Sequence, residues 1–592
     1  MIAFLAVMIF LIGYQFVLKK YGPPPQQPQQ QQQQPPAAQQ AATPVPTTPP
    51  PAPAATAAKG KEKRKQKEAA APAVATKQAA AEAETVIEND LYKITFSNRG
   101  GQVKSWILKK YDDDKRQPLD LVHQAAAQQF GYPLSLWTYD ENLRKKLASA
   151  LYVVNDTGAG SSPRTITFEY SDADTTVRKA FTFDNTYIVK VDTEVTQNGA
   201  VVQALPAWPS GIGGETIAAS YAAQSVDYAP LHPGKKWWGG TKEVERVAAK
   251  NVSGGSTIRE PFFWGGMADQ YFAAIFLPND PSADSMVTLS NELTLPKNAD
   301  KPDPNDVMKV AVLGAAVGNT SGHTQARLFA GPKDIRILDE IRATPVAGLN
   351  ENPNLGSLVD LGTFAIFVRP LFAWLRWTEA HVHNWGWAII VVTIVINIAL
   401  LPLRLSSMKS ALKTAKIQPL MQNIKDKYKK YDMRDPRKQQ MNQEIAALMK
   451  EHGVNPAGGC LPMLIQLPFL WAFYSMLGST IELRHAHWFY IHDLAAPDPH
   501  YILPIFIVIT GFIVQRMTPQ GGMDPQQQKM MNLMMPLMLG FISMNLSSGL
   551  CLYWVVGNLV AMLLQVFLNN SDLGRQQREL AAKRARKQAL KA

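Results

Sequence analysis

Cysteine is nearly absent from this chain of 592 residues, which contains only Cys460 and Cys551. Both lie at or inside apolar runs, an arrangement that argues against the disulfide framework of a small secreted protein. Carboxylates and histidines are also missing from the interior of the apolar runs that follow Trp385. Since a proton or ion relay needs such a group at depth, the composition argues against a coupled transporter.

Apolar residues are abundant, and several near-continuous runs approach the roughly 20 residues that a helix needs to cross a bilayer. The run that opens the chain has no basic flank and no clear small-residue cleavage site. These features favour an uncleaved anchor over a signal peptide. We predict transmembrane spans at residues 1–20, 383–405, 460–482, 501–517, 529–546 and 549–568.

Two extramembrane segments separate the first span from the second. Residues 21–84 are rich in Pro, Gln and Ala, a composition that cannot bury enough apolar surface to fold, so we predict a disordered linker. Residues 85–345 contain short alternating segments such as "RTITFEY" and "YIVKVDTEV", which predict a large antiparallel β-sandwich. Within it, "GKKWWGG" and "FFWGGMADQYF" are aromatic enough for a ligand cleft, although such clusters more often form core.

The net charge of +12 is concentrated beside the apolar runs, in residues 406–453 and in the tail 569–592. By the positive-inside rule both segments are cytoplasmic, and residues 21–384 then lie largely on the outer face. The same charges would attract anionic lipids, and contact with ribosomal RNA is an alternative that the sequence leaves open. Asp435 precedes Pro436, which is typical of a helix start. It divides the first basic segment into a helical hairpin.

An amphipathic helix is predicted at residues 358–382, just before the second span. Arg369 and Arg376 are seven residues apart and therefore share one helical face, with Phe, Leu and Trp on the others. Such a pattern is typical of a helix that lies in the membrane interface.

The second span carries a polar stripe. On a straight helix Thr393, Asn397 and Arg404 fall within roughly 40° of one another. For a single polar residue, interhelical hydrogen bonding is the better explanation. The three residues as a set form a stripe that ends in a cation, and the spans contain no acidic partner for it. This pattern favours a water-filled pocket that is open to the cytoplasm. We predict a hydrophilic groove lined by Thr393, Asn397, Arg404, Gln466, Gln515, Arg516, Asn558 and Gln565.

Three alternatives to a groove that receives peptide remain. A secondary transporter or channel-like protein would be expected to show inverted repeats and ionisable groups at mid-depth, and neither is clear. A metal site could be sought in an outer loop, but the residues there lack the spacing of a zinc site. A simple anchor for the sandwich would need neither a polar stripe nor a basic hairpin. The loop residues in question are His485, His487, His492 and Asp493.

Four motifs resemble the YidC-type membrane protein insertase family: "NPAGGCLPMLIQLPFLWAFYSMLGSTIELR", "FYIHDLAAPDPHYILP", "DPQQQKMMNLMMP" and "SSGLCLYWVVGNL". "FSNRGGQVKSWILKKY" resembles the start of the periplasmic domain of Gram-negative members. The resemblance implies an inner-membrane protein with a five-helix core, an N-terminal anchor helix and a periplasmic β-supersandwich. Members insert and help fold membrane proteins through a groove open to cytoplasm and lipid, without ATP or a cofactor of their own.

The resemblance also implies partners. Nascent membrane proteins are the substrates, the Sec translocon is an associate, and the basic hairpin and tail receive ribosomes or targeting factors. We expect a monomeric core. Substrate segments would slide past the third and fifth spans, and the adaptable Met side chains of "KMMNLMMPLML" suit varied apolar partners. The corresponding residues here are Gln466, Leu467, Pro468, Met534, Met535 and Met538.

One departure from the family pattern concerns the groove cation. Members typically carry an arginine five residues before the proline of the second span, where this chain has Asn397 before Pro402. Arg404 lies about 10 Å further toward the cytoplasm by helical rise. Our hypothesis is that Asn397 keeps the groove wet while Arg404, together with Arg516, supplies the positive potential.

Overall fold

The structure is a computed structural model in which the chain divides into two units, Met1–Ala73 and Val74–Ala592. The predicted anchor at residues 1–20 and nearly all of the predicted linker lie outside the described residues. The structure describes residues 76–113, 115–158, 160–213, 224–235, 241–296, 303, 305–349, 352–362, 365–431, 435–454, 461–517, 525–572, 575 and 579.

The first half of the described chain is a β-rich domain, as the alternating pattern predicts. Its strands pair antiparallel, because short connections return each strand beside its predecessor. The strands are β1 (Glu84–Glu88), β2 (Tyr92–Ser97), β3 (Gln102–Asp112), β4 (Pro118–Asp120), β5 (Ser135–Trp137), β6 (Val153–Thr157), β7 (Arg164–Ser171), β8 (Thr175–Phe183), β9 (Ile188–Gln197), β10 (Ala200–Val201), β11 (Leu205–Trp208), β12 (Ser225–Pro230), β13 (Gly234–Lys235), β14 (Thr241–Lys242), β15 (Glu245–Ala248), β16 (Ser256–Ile258), β17 (Phe262–Ala268), β18 (Phe272–Pro278), β19 (Asp284–Pro296), β20 (Val307–Asn319) and β21 (His323–Pro332).

The strands form one large sheet and three smaller ones. The ten-stranded sheet has the order β15-β12-β17-β18-β21-β9-β8-β7-β6, with β10 paired to β9. A five-stranded sheet (β16-β19-β20-β11-β5), a four-stranded sheet (β1-β2-β3-β4) and the β13-β14 hairpin complete the set. Residues of β8 alternate between buried and exposed at its start, whereas β17 and β18 are buried along their whole length. Strands buried on both faces lie between layers, so these two sit at the centre of the sandwich.

The core of the domain is aromatic. Trp106 and Trp208 are fully buried, with ring centroids 5.6 Å apart. The motif "FFWGGMADQYF" forms β17 and the turn into β18, and its Phe262 and Trp264 are also fully buried. These aromatic rings therefore pack as core and do not line a cleft. The motif "GKKWWGG" lies almost wholly outside the described residues.

Helices make up most of the remaining described residues. Three short ones belong to the sandwich: α1 (Gln124–Phe130), α2 (Glu141–Ser149) and α3 (Ile335–Glu340). The later ones are α4 (Ala365–Val382), α5 (Trp385–Ala399), α6 (Leu401–Lys427), α7 (Pro436–Glu451), α8 (Leu461–Ser479), α9 (Ile502–Met517), α10 (Pro525–Ser543) and α11 (Ser548–Asn570). An all-β domain followed by a helical region is the predicted fold class, and the structure confirms it.

Only one described helix, α11, is long and apolar enough to cross a membrane by length and composition. Trp385–Ala399, Ile502–Met517 and Asn532–Ser543 are shorter apolar segments.

The basic hairpin consists of α6 and α7. Asp435 caps α7 through a 2.9 Å hydrogen bond from the Arg437 N–H, and Pro436 occupies the first helical position. The start predicted from the sequence is therefore confirmed. The two helices pack through a small apolar cluster that includes Ile417, Met421 and Val454.

Hydrogen bonds join the sandwich directly to the helical region. Each of three long-range bonds pairs a side-chain N–H with a main-chain carbonyl, so together they fix the approach of the two parts. They run from Gln270 Nε2 to Gly478 O (2.8 Å), from Arg484 Nη1 to Asp112 O (2.6 Å) and from Arg116 Nη2 to His492 O (3.0 Å).

Candidate functional site

Helix α5 carries two of the predicted groove residues, and both are buried. Asn384 caps the helix by accepting a hydrogen bond from the Trp387 N–H at 3.2 Å. Thr393 is 0% exposed and Asn397 is 3% exposed. Thr393 Oγ1 donates to Ile389 O at 2.6 Å, and Asn397 Nδ2 donates to Thr393 O at 2.8 Å. Each side chain is thus held against its own helix one turn back.

The opposite face of α5 is apolar and exposed. This arrangement reverses that of a surface helix in a soluble protein, where the polar side chains face solvent. An exposed apolar face suits lipid, and the buried polar face then lies against neighbouring helices. The exposed residues of this face are Val391, Ile394, Val395 and Ile398.

Helix α11 lies against the polar face of α5. A Cβ atom added at Gly557 would lie 4.0 Å from Asn397 Nδ2, an ordinary van der Waals distance, so this position of α11 faces the Asn397 side chain. The next residue, Asn558, donates from Nδ2 to Thr510 Oγ1 of α9 at 3.0 Å. Three helices therefore meet at adjacent polar groups on α5, α9 and α11.

Three other predicted groove residues lie on α9 and α11. Gln515 Nε2 contacts Met535 Sδ of α10 at 3.5 Å, which is a weak hydrogen bond to sulfur. Arg516 is exposed, and its guanidinium lies 5.0 Å from the ring centroid of Phe512. Gln565 donates to Asn569 Oδ1 at 2.9 Å on its own helix. Of these three, Gln515 contributes a contact between helices.

Of the three predicted substrate-contact residues on α10, Met534 is part of an exposed apolar surface. Met534 is 57% exposed and Phe541 is 72% exposed, whereas Met535 and Met538 are half-buried. Leu533 and Leu537 extend the same exposed surface. We call Leu533, Met534, Leu537 and Phe541 the α10 apolar surface.

The predicted contact residues on α8 are placed only by their backbone. Gln466, Leu467 and Pro468 belong to α8, but their side chains lie outside the described residues.

Arg404 does not share a helix with Asn397, so the polar stripe does not continue along one straight helix over residues 383–405. Helix α5 ends at Ala399, Leu400 adopts φ −82° and ψ −1°, and α6 begins at Leu401. Pro402 has no N–H to donate and its ring crowds the carbonyl four residues earlier, which explains the break. Arg404 therefore belongs to the first turn of the hairpin helix, and its side chain lies outside the described residues.

The histidines between α8 and α9, for which a metal site was considered, do not gather with other possible ligands in the described part of the chain. The rings of His487 and His492 have centroids 6.1 Å apart. Within the described part of the chain, no group of three or more His, Cys, Asp or Glu side chains is placed to hold a metal ion.

Two features of the site escape sequence analysis. One is the pairing of Asn558 with Thr510, because a pattern along one helix does not reveal how two helices are rotated relative to each other. The other is that Asn397 faces α11 at Gly557, which only the packed helices show.

Comparison with known proteins covers most of the chain. The family model described as "60Kd inner membrane protein" matches residues 377–575, and the model described as "YidC periplasmic domain" matches residues 84–374. The Membrane protein insertase YidC of Geobacter metallireducens is 32% identical over 508 residues, covering 83% of this chain and 86% of the relative. Its namesake from Geobacter sulfurreducens is 32% identical over 501 residues, covering 81% and 85%.

Among solved structures, this chain is similar to the crystal structure of an active YidC insertase with its first transmembrane domain resolved. The match covers 84% of this chain and 96% of the chain in that structure. Its TM-score is 0.33 and its sequence identity is 17%. One family model matches the sandwich and the other matches the helical region, and each of these two relatives is aligned over more than four fifths of this chain. This chain belongs to the YidC family of membrane protein insertases.

Proposed function

We propose that this insertase receives polar substrate segments where α5, α9 and α11 meet, and releases apolar segments along α10. The proposed topology has residues 21–384 largely in the periplasm, five spans after them, and the hairpin 406–453 and tail 569–592 in the cytoplasm. Positive charge in both cytoplasmic segments supports this orientation. No covalent step and no cofactor are needed, and the core acts as a monomer.

The observation that carries the proposal is that the helices place polar side chains inside and apolar side chains outside. Thr393, Asn397, Thr510 and Asn558 are polar and lie at the contacts between helices, while exposed faces are apolar. In hydrocarbon, polar groups are costly unless they face one another or water. A substrate tail that enters between the helices can exchange hydrogen bonds with these groups, which lowers the barrier to crossing the bilayer.

The α10 apolar surface supplies the other half of the mechanism. An apolar substrate segment can lie against it while it moves into lipid, and burial of each CH₂ group stabilises that transfer by about 0.8 kcal/mol. The side chain of Met adapts its shape, so Met534 suits many sequences. The driving force then comes from the substrate, and the protein supplies the path.

The basic hairpin supports a docking role. Lys409, Lys413 and Lys416 of α6 are exposed in the segment that we place in the cytoplasm. An exposed cationic surface attracts RNA and anionic lipid headgroups alike. We propose that hairpin and tail receive ribosomes or targeting factors, and that the core also works beside the Sec translocon.

Site-specific crosslinking tests the proposal. A photoreactive residue at position 534 is compared with one at position 563, since Met534 and Leu563 are both exposed on apolar helix faces. With a ribosome-bound nascent membrane protein, we expect adducts at 534, and also at 466–468, well above those at 563. Equal adducts at 534 and 563 would show that substrate merely diffuses in the surrounding lipid.

A further inference from the structure

A polar cavity of about 300 Å³ lies between the sandwich and the C-terminal end of α8. Its volume is at the lower end of the range for sites that bind small molecules. Charged residues from five separate segments converge on it, which is unusual for a simple packing defect. The residues that matter here are Asp227, Arg246, Asp269, Lys333, Asp360 and Ser479.

One wall of the cavity presents a carboxylate with spare acceptor capacity. The Asp227 side chain is 1% exposed, and its Oδ2 accepts from Arg246 Nε at 3.3 Å. Its Oδ1 is enclosed and has no hydrogen bond of good geometry among the described residues, and the hydroxyl of Ser225 lies close enough to the carboxylate to lower its pKa. A buried acceptor left without a donor costs about 1–3 kcal/mol. The arrangement therefore favours a ligand that brings N–H or O–H groups to this atom.

Cations face the same space. Lys333 is buried and donates from Nζ to Asp269 O at 2.9 Å. Burial lowers the pKa of Lys333 and raises the pKa of Asp227. A ligand with a negative group near Lys333 and a positive group near Asp227 would therefore stabilise both side chains in their charged forms.

An ion pair between Asp360 and Arg246 lies at the mouth of the cavity. Asp360 is 62% exposed and lies 3.5 Å from Arg246 Nη1. Its carbonyl accepts a 3.0 Å hydrogen bond from Ser479 Oγ, which links the mouth to the last residue of α8. The walls thus offer three carboxylates and two cations in a space of headgroup size.

We propose that this cavity binds a zwitterionic group in which a primary ammonium is joined to a phosphate by a short chain, as in phosphoethanolamine. The ammonium donates to Asp227 Oδ1 and to the Asp360 carboxylate. The phosphate accepts from Lys333 and Arg246. A quaternary ammonium has no N–H, so it would leave Asp227 Oδ1 unpaired.

Two sources could provide this chemistry, namely a phosphatidylethanolamine headgroup and free phosphoethanolamine. The lipid source rests on the proposed topology, in which α8 ends at the periplasmic surface of the membrane. The free compound requires no such placement, so the two sources can be separated without testing insertion itself.

The experiment uses the full chain in nanodiscs of phosphatidylethanolamine or phosphatidylcholine, and in detergent with phosphoethanolamine. We expect native mass spectrometry to show at least fivefold more retained phosphatidylethanolamine than phosphatidylcholine. A rise in thermal midpoint with phosphoethanolamine but no lipid preference would support the free compound. Neither a preference nor a shift would overturn the proposal.

Variants locate the site. Asp227→Asn should abolish the preference, and Asp360→Asn at the exposed mouth should reduce it about threefold while leaving the buried core intact. Asp90→Asn, at an exposed carboxylate elsewhere on the sandwich, is the matched control and should change nothing. If all three variants keep the preference of the unmodified chain, the ligand binds elsewhere and the assignment fails.

Discussion

The double variant Thr393→Val/Asn397→Leu separates a substrate-binding role of the α5 polar residues from simple helix packing. Both side chains donate to main-chain carbonyls one turn back, at 2.6 Å and 2.8 Å. The carbonyls of Ile389 and Thr393 also accept the main-chain N–H four residues further along the helix. They therefore keep one hydrogen bond when the side-chain donor is removed. Val and Leu are close in size to the residues that they replace. We therefore expect the free energy of unfolding to change by less than about 1 kcal/mol.

Insertion should respond much more strongly. If each polar group contributes about 0.5–1 kcal/mol of hydrogen bonding to a crossing substrate tail, the pair contributes about 1–2 kcal/mol. The insertion rate of a substrate with an uncharged polar tail should then fall roughly 5- to 30-fold. The assay is insertion into proteoliposomes, measured by protease protection of the tail, with thermal unfolding measured in parallel.

Thr414→Val is the matched control, because Thr414 makes the same bond to Ser410 O, at 3.0 Å, on the hairpin helix α6. It should leave insertion unchanged. Unaltered insertion by the double variant, with unaltered stability, would refute the role assigned to α5. A large loss of stability with unaltered rate per folded molecule would show that the residues serve packing.

Other predictions concern the charged groups. Arg404→Ala should impair insertion of substrates with acidic tails more than Asn397→Leu does, and a defect confined to Asn397→Leu would contradict the division of labour. Lys179 donates to three main-chain carbonyls inside the sandwich, so Lys179→Met should lower the free energy of unfolding by about 2–4 kcal/mol in denaturant titrations, whereas exposed Lys190→Met should not. Burial raises the pKa of Asp284 to about 7, so the native state holds a proton that the unfolded chain releases above pH of about 4. The sandwich should therefore lose stability as pH rises from about 4 to 7, Asp284→Asn should reduce that slope, and identical slopes would contradict this assignment.

Local sequence patterns predict much of the architecture. Period-two alternation predicts the strands because each strand has one face in the core, and the Asp435-Pro436 pair predicts the start of α7 because capping is local. Polar residues in apolar runs predict which side of α5 is buried. Burial of Thr393 and Asn397 agrees with their facing other helices, and the hydration of that face stays a prediction.

Other features depend on tertiary contacts that no local pattern encodes. The break at Leu400 has a local cause in Pro402, but its position decides that Arg404 belongs to α6 and not to α5. The sandwich docks on the helices through main-chain carbonyls such as Gly478 O. Every residue offers such a carbonyl, so the sequence cannot mark which one is used.

The most direct test of the groove is the accessibility of its buried polar positions during insertion. In a background without Cys460 and Cys551, single cysteines replace Asn397 and the exposed, apolar Ile394. Each variant is treated with a membrane-impermeant thiol reagent from the side that we propose to be cytoplasmic. The account predicts that labelling at 397 accelerates when a ribosome-bound nascent membrane protein is added, while 394 stays unlabelled. If 397 remains unreactive with and without substrate, the polar contacts of α5 are dry packing and the groove does not exist there.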